Sequence, residues 1–255
     1  IQGLTEWLPI SSTGHLILAE QFLHFSRPED SLLFEFTLHI GTLIVVLLFF
    51  RKDIKNLLSA LFRLDFKSEY GKLIPLIVVG TASAAAIGII LEEYVKNVFQ
   101  SFFPIATAFI LFGIVLYSAK IGKEETSDIG YLTAIIIGIA EGVAIIPGVS
   151  RSGATIAIAL LLGIKREKAF KFSFLLSIPA IIGVIGYTFY QEHDKLAPIG
   201  LGWTEILPGI IAAIITGYFA IKLLWKTLAT KKFHLFGVYC WLLGAALIIL
   251  SLGVF

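Results

Sequence analysis

The amino-acid sequence predicts an all-α, polytopic membrane protein of about six transmembrane helices plus two re-entrant helical segments in an inverted-topology repeat. Three observations predict it: an apolar composition, long apolar runs along the whole chain, and basic residues that alternate in number between successive connections. Hydrophobic residues make up 57% and charged residues 15%, and the mean hydropathy is positive, far from the balance of a soluble domain. Several runs approach the roughly 20 apolar residues needed to cross a hydrocarbon core. They are spread over the full length, so a single removable signal peptide cannot explain them. The net charge of +2 is small, and the basic residues fall in short connections, which excludes nucleic acid as a partner. Cys240 is the one cysteine and lies in an apolar run; neither a disulfide nor a thiolate metal site within one chain is available. The chain has no methionine and opens at Ile1 inside an apparent motif, so a trimmed natural N-terminus and an incomplete first segment are expected.

The elements follow in order. Residues 1–19 are apolar but broken by Pro, Gly, Ser and charge, which predicts half-helices rather than a crossing. Residues 32–50, 73–91 and 102–119 are apolar nearly all round and read as crossings. Residues 131–164 form a second broken stretch, and 172–190, 206–225 and 235–255 are three further crossings. Cytoplasmic connections are enriched in Lys and Arg. Residues 51–72 carry six, 92–101 one, 120–130 two, 165–171 four, 191–205 one and 222–234 four. The alternation places the first, third, fourth and sixth of these inside. Both flanks of 131–164 are then cytoplasmic, so that segment enters and returns; the first broken segment borders the opposite face. The chain is expected to be one integral membrane domain over 1–255, with a first repeat over 1–120 (re-entrant 1–19 plus three crossings) and a second over 131–255 (re-entrant 131–164 plus three crossings).

Internal similarity points the same way. Gly3-Leu-Thr-Glu6 with Pro9 and Ser11-Ser12-Thr13-Gly14 is similar to Gly138-Ile-Ala-Glu141 with Pro147 and Ser150-Arg151-Ser152-Gly153, and Phe34-Glu-Phe36-Thr37 to Phe170-Lys-Phe172-Ser173.

An ionisable group in the hydrocarbon region costs at least a few kcal/mol, so one that stays there needs partners, water or a task. Gln2 and Glu6 are four apart and share one helical face, where the pair can hold a cation. Pro9 ends that helix, and Ser11, Ser12 and Thr13 offer hydroxyls before His15 resumes the apolar pattern. Residues 147–155 form a Gly-flanked turn opening a helix; such a turn aims unpaired N–H groups and the positive end of the helix dipole at one spot, which suits phosphate. Arg151 adds a planar fork of donors. If the two breaks meet, an oxyanion donor set meets a carboxylate, a hydroxyl and an imidazole, the inventory of a phosphatase.

The combination of a Q/E-x-x-x-E pair running into Leu-Pro-x-Ser-Ser-Thr-Gly-His, with Pro-Gly-x-Ser-Arg-Ser-Gly-x-Thr in the second half, resembles the undecaprenyl-diphosphatase family of the BacA type, over essentially the whole chain. The resemblance implies a bacterial plasma-membrane hydrolase, multi-pass, with its active site opening to the outer face. Such an enzyme converts a long-chain isoprenyl diphosphate to the monophosphate plus phosphate, recycling the lipid carrier for cell-wall glycans such as peptidoglycan, an activity linked to cell shape and bacitracin resistance. It also implies a divalent cation, Mg²⁺ or alternatively Ca²⁺. By the same resemblance Glu6, Ser12, His15 and Arg151 are catalytic, Gln2 and Glu6 hold the metal, and Ser11, Thr13, Gly148, Ser150, Ser152 and Thr155 bind substrate. Gln2 removes one negative charge from the metal pair. The residues leave two routes open: Ser12 attacks phosphorus with His15 as base, or His15 activates a water.

Blander readings stand beside these. Serine and threonine in membrane helices often bond a carbonyl one turn back, which is as good an account of Ser11, Thr13, Ser152 or Thr155 taken singly. Glu141 is read as lining a cavity or bonding backbone in the turn, and Arg151 as gripping phosphate or snorkelling to headgroups. Glu35 and His39 face either the site or the outer interface. His24, His193 and His234 are expected to be solvated, the tryptophans to sit in interfacial belts or packing, and Gly80, Gly88, Gly113, Gly183 and Gly186 to mark close helix contacts. Inverted repeats with broken helices also build secondary transporters, so transport or flipping of an anionic lipid is the rival function, and a structural scaffold the third. Isoprenoid length and oligomeric state have no motif to read.

Overall fold

The computed structural model describes residues 1–23, 28–126, 128–196 and 203–252, with side chains over 1–22, 37–126, 128–190 and 206–252. Eleven α-helices run in chain order among these residues: α1 (Gln2–Trp7), α2 (Ser12–Leu23), α3 (Pro28–Phe49), α4 (Arg51–Phe62), α5 (Glu69–Val98), α6 (Phe102–Ser118), α7 (Tyr131–Val143), α8 (Arg151–Leu161), α9 (Arg166–Leu196), α10 (Trp203–Ala229) and α11 (Leu235–Ser251). Four stretches are long and apolar enough to cross a membrane by length and composition, at Glu69–Val98, Phe102–Ile121, Arg166–Tyr190 and Ile206–Ala229. With α3 and the 17-residue α11 they account for the six apolar runs.

Local chemistry sets the helix ends. Ser68 caps α5, its Oγ accepting from the Gly71 N–H at 3.2 Å, the usual service of an N-cap serine. Leu8, held extended (φ −73°, ψ 146°) as a residue before proline prefers, ends α1. Pro75, Pro179 and Pro208 lie inside α5, α9 and α10, which membrane helices tolerate because neighbours and local adjustment satisfy the freed carbonyls.

Residues 51–72, expected to be a connection, contain the amphipathic helix α4. Its charge count hid a 3.6-residue apolar pattern at Ile54, Leu57, Leu58 and Leu61.

Helix contacts run between the halves of the chain. The Cβ missing from Gly138 would collide with the Gly80 carbonyl, and that missing from Gly142 with Ala84; the register of 80 with 138 and 84 with 142 makes α5 and α7 parallel. Likewise Gly3 lies on Ala213 and Gly217 on Trp7, so α1 and α10 are parallel. Each first half-helix is thus laid along a long helix from the other half, and glycine is required because backbone meets backbone. In α6 and α11 Gly113 meets Gly237 while Ala106 and Ile110 meet Gly244, an antiparallel pair, and Trp241 Nε1 donates to the Ile110 carbonyl at 3.0 Å. Three other glycines differ from expectation. Gly88, Gly183 and Gly186 have no described atom within 4 Å of where a Cβ would stand, so they make no close helix contact among the described residues.

The broken helices form the centre. Trp7, Phe109, Ile137, Ile156, Leu160 and Leu175 are fully buried there, and Trp7 stacks on Phe174 at 5.1 Å. Cys240 is buried with its Sγ towards the Pro9 carbonyl.

Candidate active site at the paired helix breaks

The two breaks are stitched to each other. Ser11 Oγ accepts from the Gly14 N–H at 3.3 Å and from the Gly148 N–H at 3.0 Å. Ser150 Oγ accepts from the Gly153 N–H at 3.3 Å and donates to the Leu8 carbonyl at 3.3 Å. The Ser152 hydroxyl donates to the Trp7 carbonyl at 3.1 Å. Ser11 and Ser150 therefore cap α2 and α8 in the same way, each three residues ahead of a glycine. Ser11 holds φ at +67°, a left-handed conformation that costs a serine about 1–2 kcal/mol. Its two accepted hydrogen bonds offset that cost. Gly148, at φ +101°, needs to be glycine both for its backbone and because a Cβ would stand 2.9 Å from the Ile105 carbonyl.

After this stitching, the first-turn N–H groups of Arg151 and Ser152 have no backbone acceptor among the described residues and stand as donors at the start of α8. Arg151 Nη2 is ion-paired with Glu6 Oε1, their side chains 19% and 4% exposed. Gln2 Nε2 donates to Glu6 Oε2 at 2.9 Å, while the buried Gln2 Oε1 has no partner among the described residues. Ser12 and His39 also lie within interaction reach of the Glu6 carboxylate. Trp7, Arg151, Ser152, Ser173, Phe174 and Ser177 line a small cleft beside the pair. Glu6, Gln2, Arg151 and Ser12 therefore form one cluster, drawn from both breaks. The pairing of Arg151 with Glu6 leaves the snorkelling account without support.

His15 points elsewhere. Its Nδ1 lies 2.7 Å from the Ser11 carbonyl and its Nε2 2.7 Å from the Tyr239 hydroxyl. A carbonyl only accepts, so Nδ1 carries the proton; in the neutral ring the lone pair is then on Nε2, and Tyr239 donates to it. The His15 ring also lies parallel to Tyr239 at 5.8 Å and edge-on to Phe109. No hydrogen bond joins His15 to Ser12 among the described residues. Tyr239 was not legible as a site residue, since an isolated tyrosine in an apolar run has no motif around it.

Thr155 donates to the Arg151 carbonyl one turn back at 2.9 Å and contacts Ser173 Oγ, and Thr13 is exposed. Glu141, the repeat counterpart of Glu6, is 5% exposed, and neither carboxylate oxygen has a hydrogen-bond partner among the described residues; it does not bond the turn. His234 is half-buried with Tyr117 edge-on to its ring rather than solvated. His24 and the side chains of Glu35, His193 and Trp203 lie outside what the structure describes.

A divalent cation can be tested against these groups. Mg²⁺ at phosphate sites takes one or two protein oxygens and completes its shell with water and phosphate. The orphaned Gln2 Oε1 beside the Glu6 carboxylate offers that donor set. No group of three His, Cys, Asp or Glu that could hold a metal is found among the described residues, so the protein alone provides no complete cage.

The family model described as bacitracin resistance protein BacA matches residues 1–246. An undecaprenyl-diphosphatase of Carboxydothermus hydrogenoformans is 39% identical, over 98% of this chain and 94% of its own. One of Halothermothrix orenii is 40% identical over 100% and 96%, and one of Korarchaeum cryptofilum 41% identical over 97% and 95%. With whole-length matches of this order, the chain belongs to the bacitracin resistance protein BacA family.

Proposed function

We infer that the protein is a membrane-embedded phosphatase that hydrolyses undecaprenyl diphosphate to the monophosphate and inorganic phosphate, as the names of its relatives state for them. The observation that carries the reading is the ion pair of Arg151 with Glu6 between two stitched helix starts. An arginine and free helix-start amides supply oxyanion stabilisation, usually the largest catalytic effect. In the proposed mechanism Arg151 leaves Glu6 for the diphosphate oxygens, and the N–H groups of Arg151 and Ser152 share their charge. Gln2 Oε1 and Glu6 are the residues that would hold Mg²⁺, or Ca²⁺ in its place, which supplies further charge neutralisation when bound. Ser12 stands beside Glu6 as the proposed nucleophile: its Oγ bonds the terminal phosphorus, the bridging P–O bond breaks to release the monophosphate lipid, and a water then frees phosphate from Ser12; in the alternative route an activated water attacks that phosphorus directly. His15 would serve as a base only through Nε2, and only after the Tyr239 hydroxyl gives up its bond to that nitrogen and the ring turns to the reacting oxygen. The remaining hydroxyls, on Ser11, Ser150, Ser152 and Thr155, act by holding the turns. The reciprocal laying of α1 on α10 and α7 on α5 supports the inverted repeat; a site open to the outer face rests on the resemblance to the family.

The test uses purified protein and a C55 isoprenyl diphosphate, with and without EDTA, measuring released phosphate for wild type, Glu6→Ala and Arg151→Ala. Release by wild type that EDTA and both substitutions abolish is expected. No release from wild type with Mg²⁺ present would remove the phosphatase reading and promote transport of the lipid. Rapid-quench trapping of a phosphoserine identifies the Ser12 route; undiminished hydrolysis by Ser12→Ala excludes it.

A further inference from the structure

Helix α4 has three faces. Ala60 and the partly buried Ile54 and Leu57 pack inward. Asp53, on the same inner side, accepts from the Tyr70 hydroxyl at 2.8 Å and pairs with Lys171 Nζ at 2.9 Å, fixing the helix against α5 and α9. At 100° per residue Leu61 falls between Leu57 and Ile54, and Leu58 and Phe62 come next around the wheel. Leu58, Leu61 and Phe62 are exposed, Phe62 by 83%, and the exposed Leu64 and Phe66 extend this surface beyond the helix. Lys55 and Lys52 occupy the third face, Arg51 falls between Leu58 and Phe62 at the first residue of the helix, and Arg63 and Lys67 follow the helix. All five basic residues are exposed; Asp65 is the other carboxylate of the segment, its oxygen engaged by the Lys67 and Ser68 N–H groups.

Five large apolar side chains left in water would be costly. At 12 residues α4 is too short to cross a bilayer, and it follows α3, an apolar run read as a crossing, after a single residue. An apolar wedge beside a basic face, at the level where a crossing ends, is the arrangement of an interfacial helix. We propose that α4 and the turn after it form a membrane-surface docking element. Leu58, Leu61, Phe62, Leu64 and Phe66 sink among the acyl chains, and Arg51, Lys52, Lys55, Arg63 and Lys67 lie on the headgroups of anionic phospholipid. The occupant is lipid rather than protein because α4 starts one residue after the apolar run of α3 ends, and its exposed apolar side chains are flanked by five exposed basic residues, whose charge is opposite to that of anionic headgroups.

The test places a nitroxide at positions 52, 55, 58, 59 and 62 of the full-length protein in a Cys240→Ala background. The protein sits in nanodiscs of phosphatidylcholine with or without phosphatidylglycerol, and power saturation by oxygen and by an aqueous nickel chelate is measured. Labels at 58 and 62 are expected to be at least fivefold more accessible to oxygen than to nickel, and those at 52 and 59 the reverse. Adding phosphatidylglycerol should deepen the former in the unmodified segment but not when Arg51, Lys52 and Lys55 are replaced by Gln. Hydrolysis of detergent-solubilised isoprenyl diphosphate should be unchanged in that triple variant. Nickel access at 58 and 62 in both lipids overturns the proposal. So does shielding of both positions from both reagents, which would mean that protein covers the face. A depth indifferent to phosphatidylglycerol overturns the anionic-lipid assignment.

Discussion

The two helix breaks share a cap and differ in what they present. Ser11 and Ser150 hold the starts of α2 and α8 with the same bond to a glycine N–H. The next residue is Ser12 in one and Arg151 in the other, and the acid one helix earlier is the paired Glu6 in one and the unpartnered Glu141 in the other. The two breaks thus share a geometry and divide the chemistry: the first carries carboxylate, amide and hydroxyl, and the second carries the positive charge. Geometry is held by backbone bonds that both copies need, whereas the side chain at the first helical position makes none of them and is free to diverge.

Breaking the comparison at its charged end should have the largest effect. Arg151→Ala is expected to lower kcat/KM by about 10³-fold, the scale of losing an oxyanion donor, and to cost about 3 kcal/mol or more of stability by leaving Glu6 buried and unpaired. Arg151→Lys should recover little of the activity, because a point charge cannot replace the planar fork. Phosphate release and thermal unfolding in detergent measure the two effects. The acids should respond in opposite directions. Glu6→Gln should abolish metal-stimulated hydrolysis. Glu141→Gln should leave turnover within a few-fold and hold or raise the unfolding temperature, since it replaces a buried unpartnered carboxyl with a neutral group. A loss of activity at Glu141 equal to that at Glu6 would mean the halves are chemically equivalent.

The caps come next. Ser150→Ala should cost about 1 kcal/mol, since the Leu8 carbonyl it releases keeps the Ile10 N–H, and Ser11→Ala closer to 2, because it strands the Gly148 N–H and leaves a left-handed turn unsupported; paired chemical-denaturation curves test the ranking. Tyr239→Phe keeps the ring and removes the donor to His15 Nε2. It is expected to lower turnover about tenfold, with a displaced pH profile. ¹⁵N spectra of labelled histidine should show His15 protonated at Nδ1 in the wild type, and a ring protonated at Nε2 instead would discard the assigned hydrogen bonds. The smallest effect lies away from both breaks. Partial burial pushes the Glu124 carboxyl up, but the Arg166 amide and guanidinium outweigh it and hold the group below its ordinary value. A depressed folded value gives stability that is present above the unfolded carboxylate's value and is lost as the pH falls through the folded one. Arg166→Gln should cost about 0.5 kcal/mol at neutral pH and nothing in acid, where Glu124 is protonated.

Much of this was legible from the sequence because it rests on few-residue signals. Pro9 marked the end of α1, the two Ser-x-x-Gly runs marked matching helix starts, and the i,i+4 spacing of Gln2 and Glu6 put them in contact. Directions of side chains were not legible. Ser11 reads as a free hydroxyl until the strained turn that consumes it is seen, and His15 reads as a partner for Ser12 until its ring is seen folded back on the Ser11 carbonyl. Helix α4 was hidden by its own charge, since counting lysines treats a basic helix and a basic loop alike. Gly88, Gly183 and Gly186 carry the same letter as Gly80 and Gly138, and only the packing partner separates them.

The hydrogen bond from Gly148 to Ser11 spans 137 positions of chain, and this gives the site an order of assembly. During synthesis the first break emerges long before the donor that completes it, so its strained turn lacks one of its two supports until residues 147–153 have entered the membrane. A nascent or prematurely terminated chain would therefore hold Gln2, Glu6 and Ser12 without Arg151 and without a fixed turn, and be inert. Activity arrives only once the second half has been built.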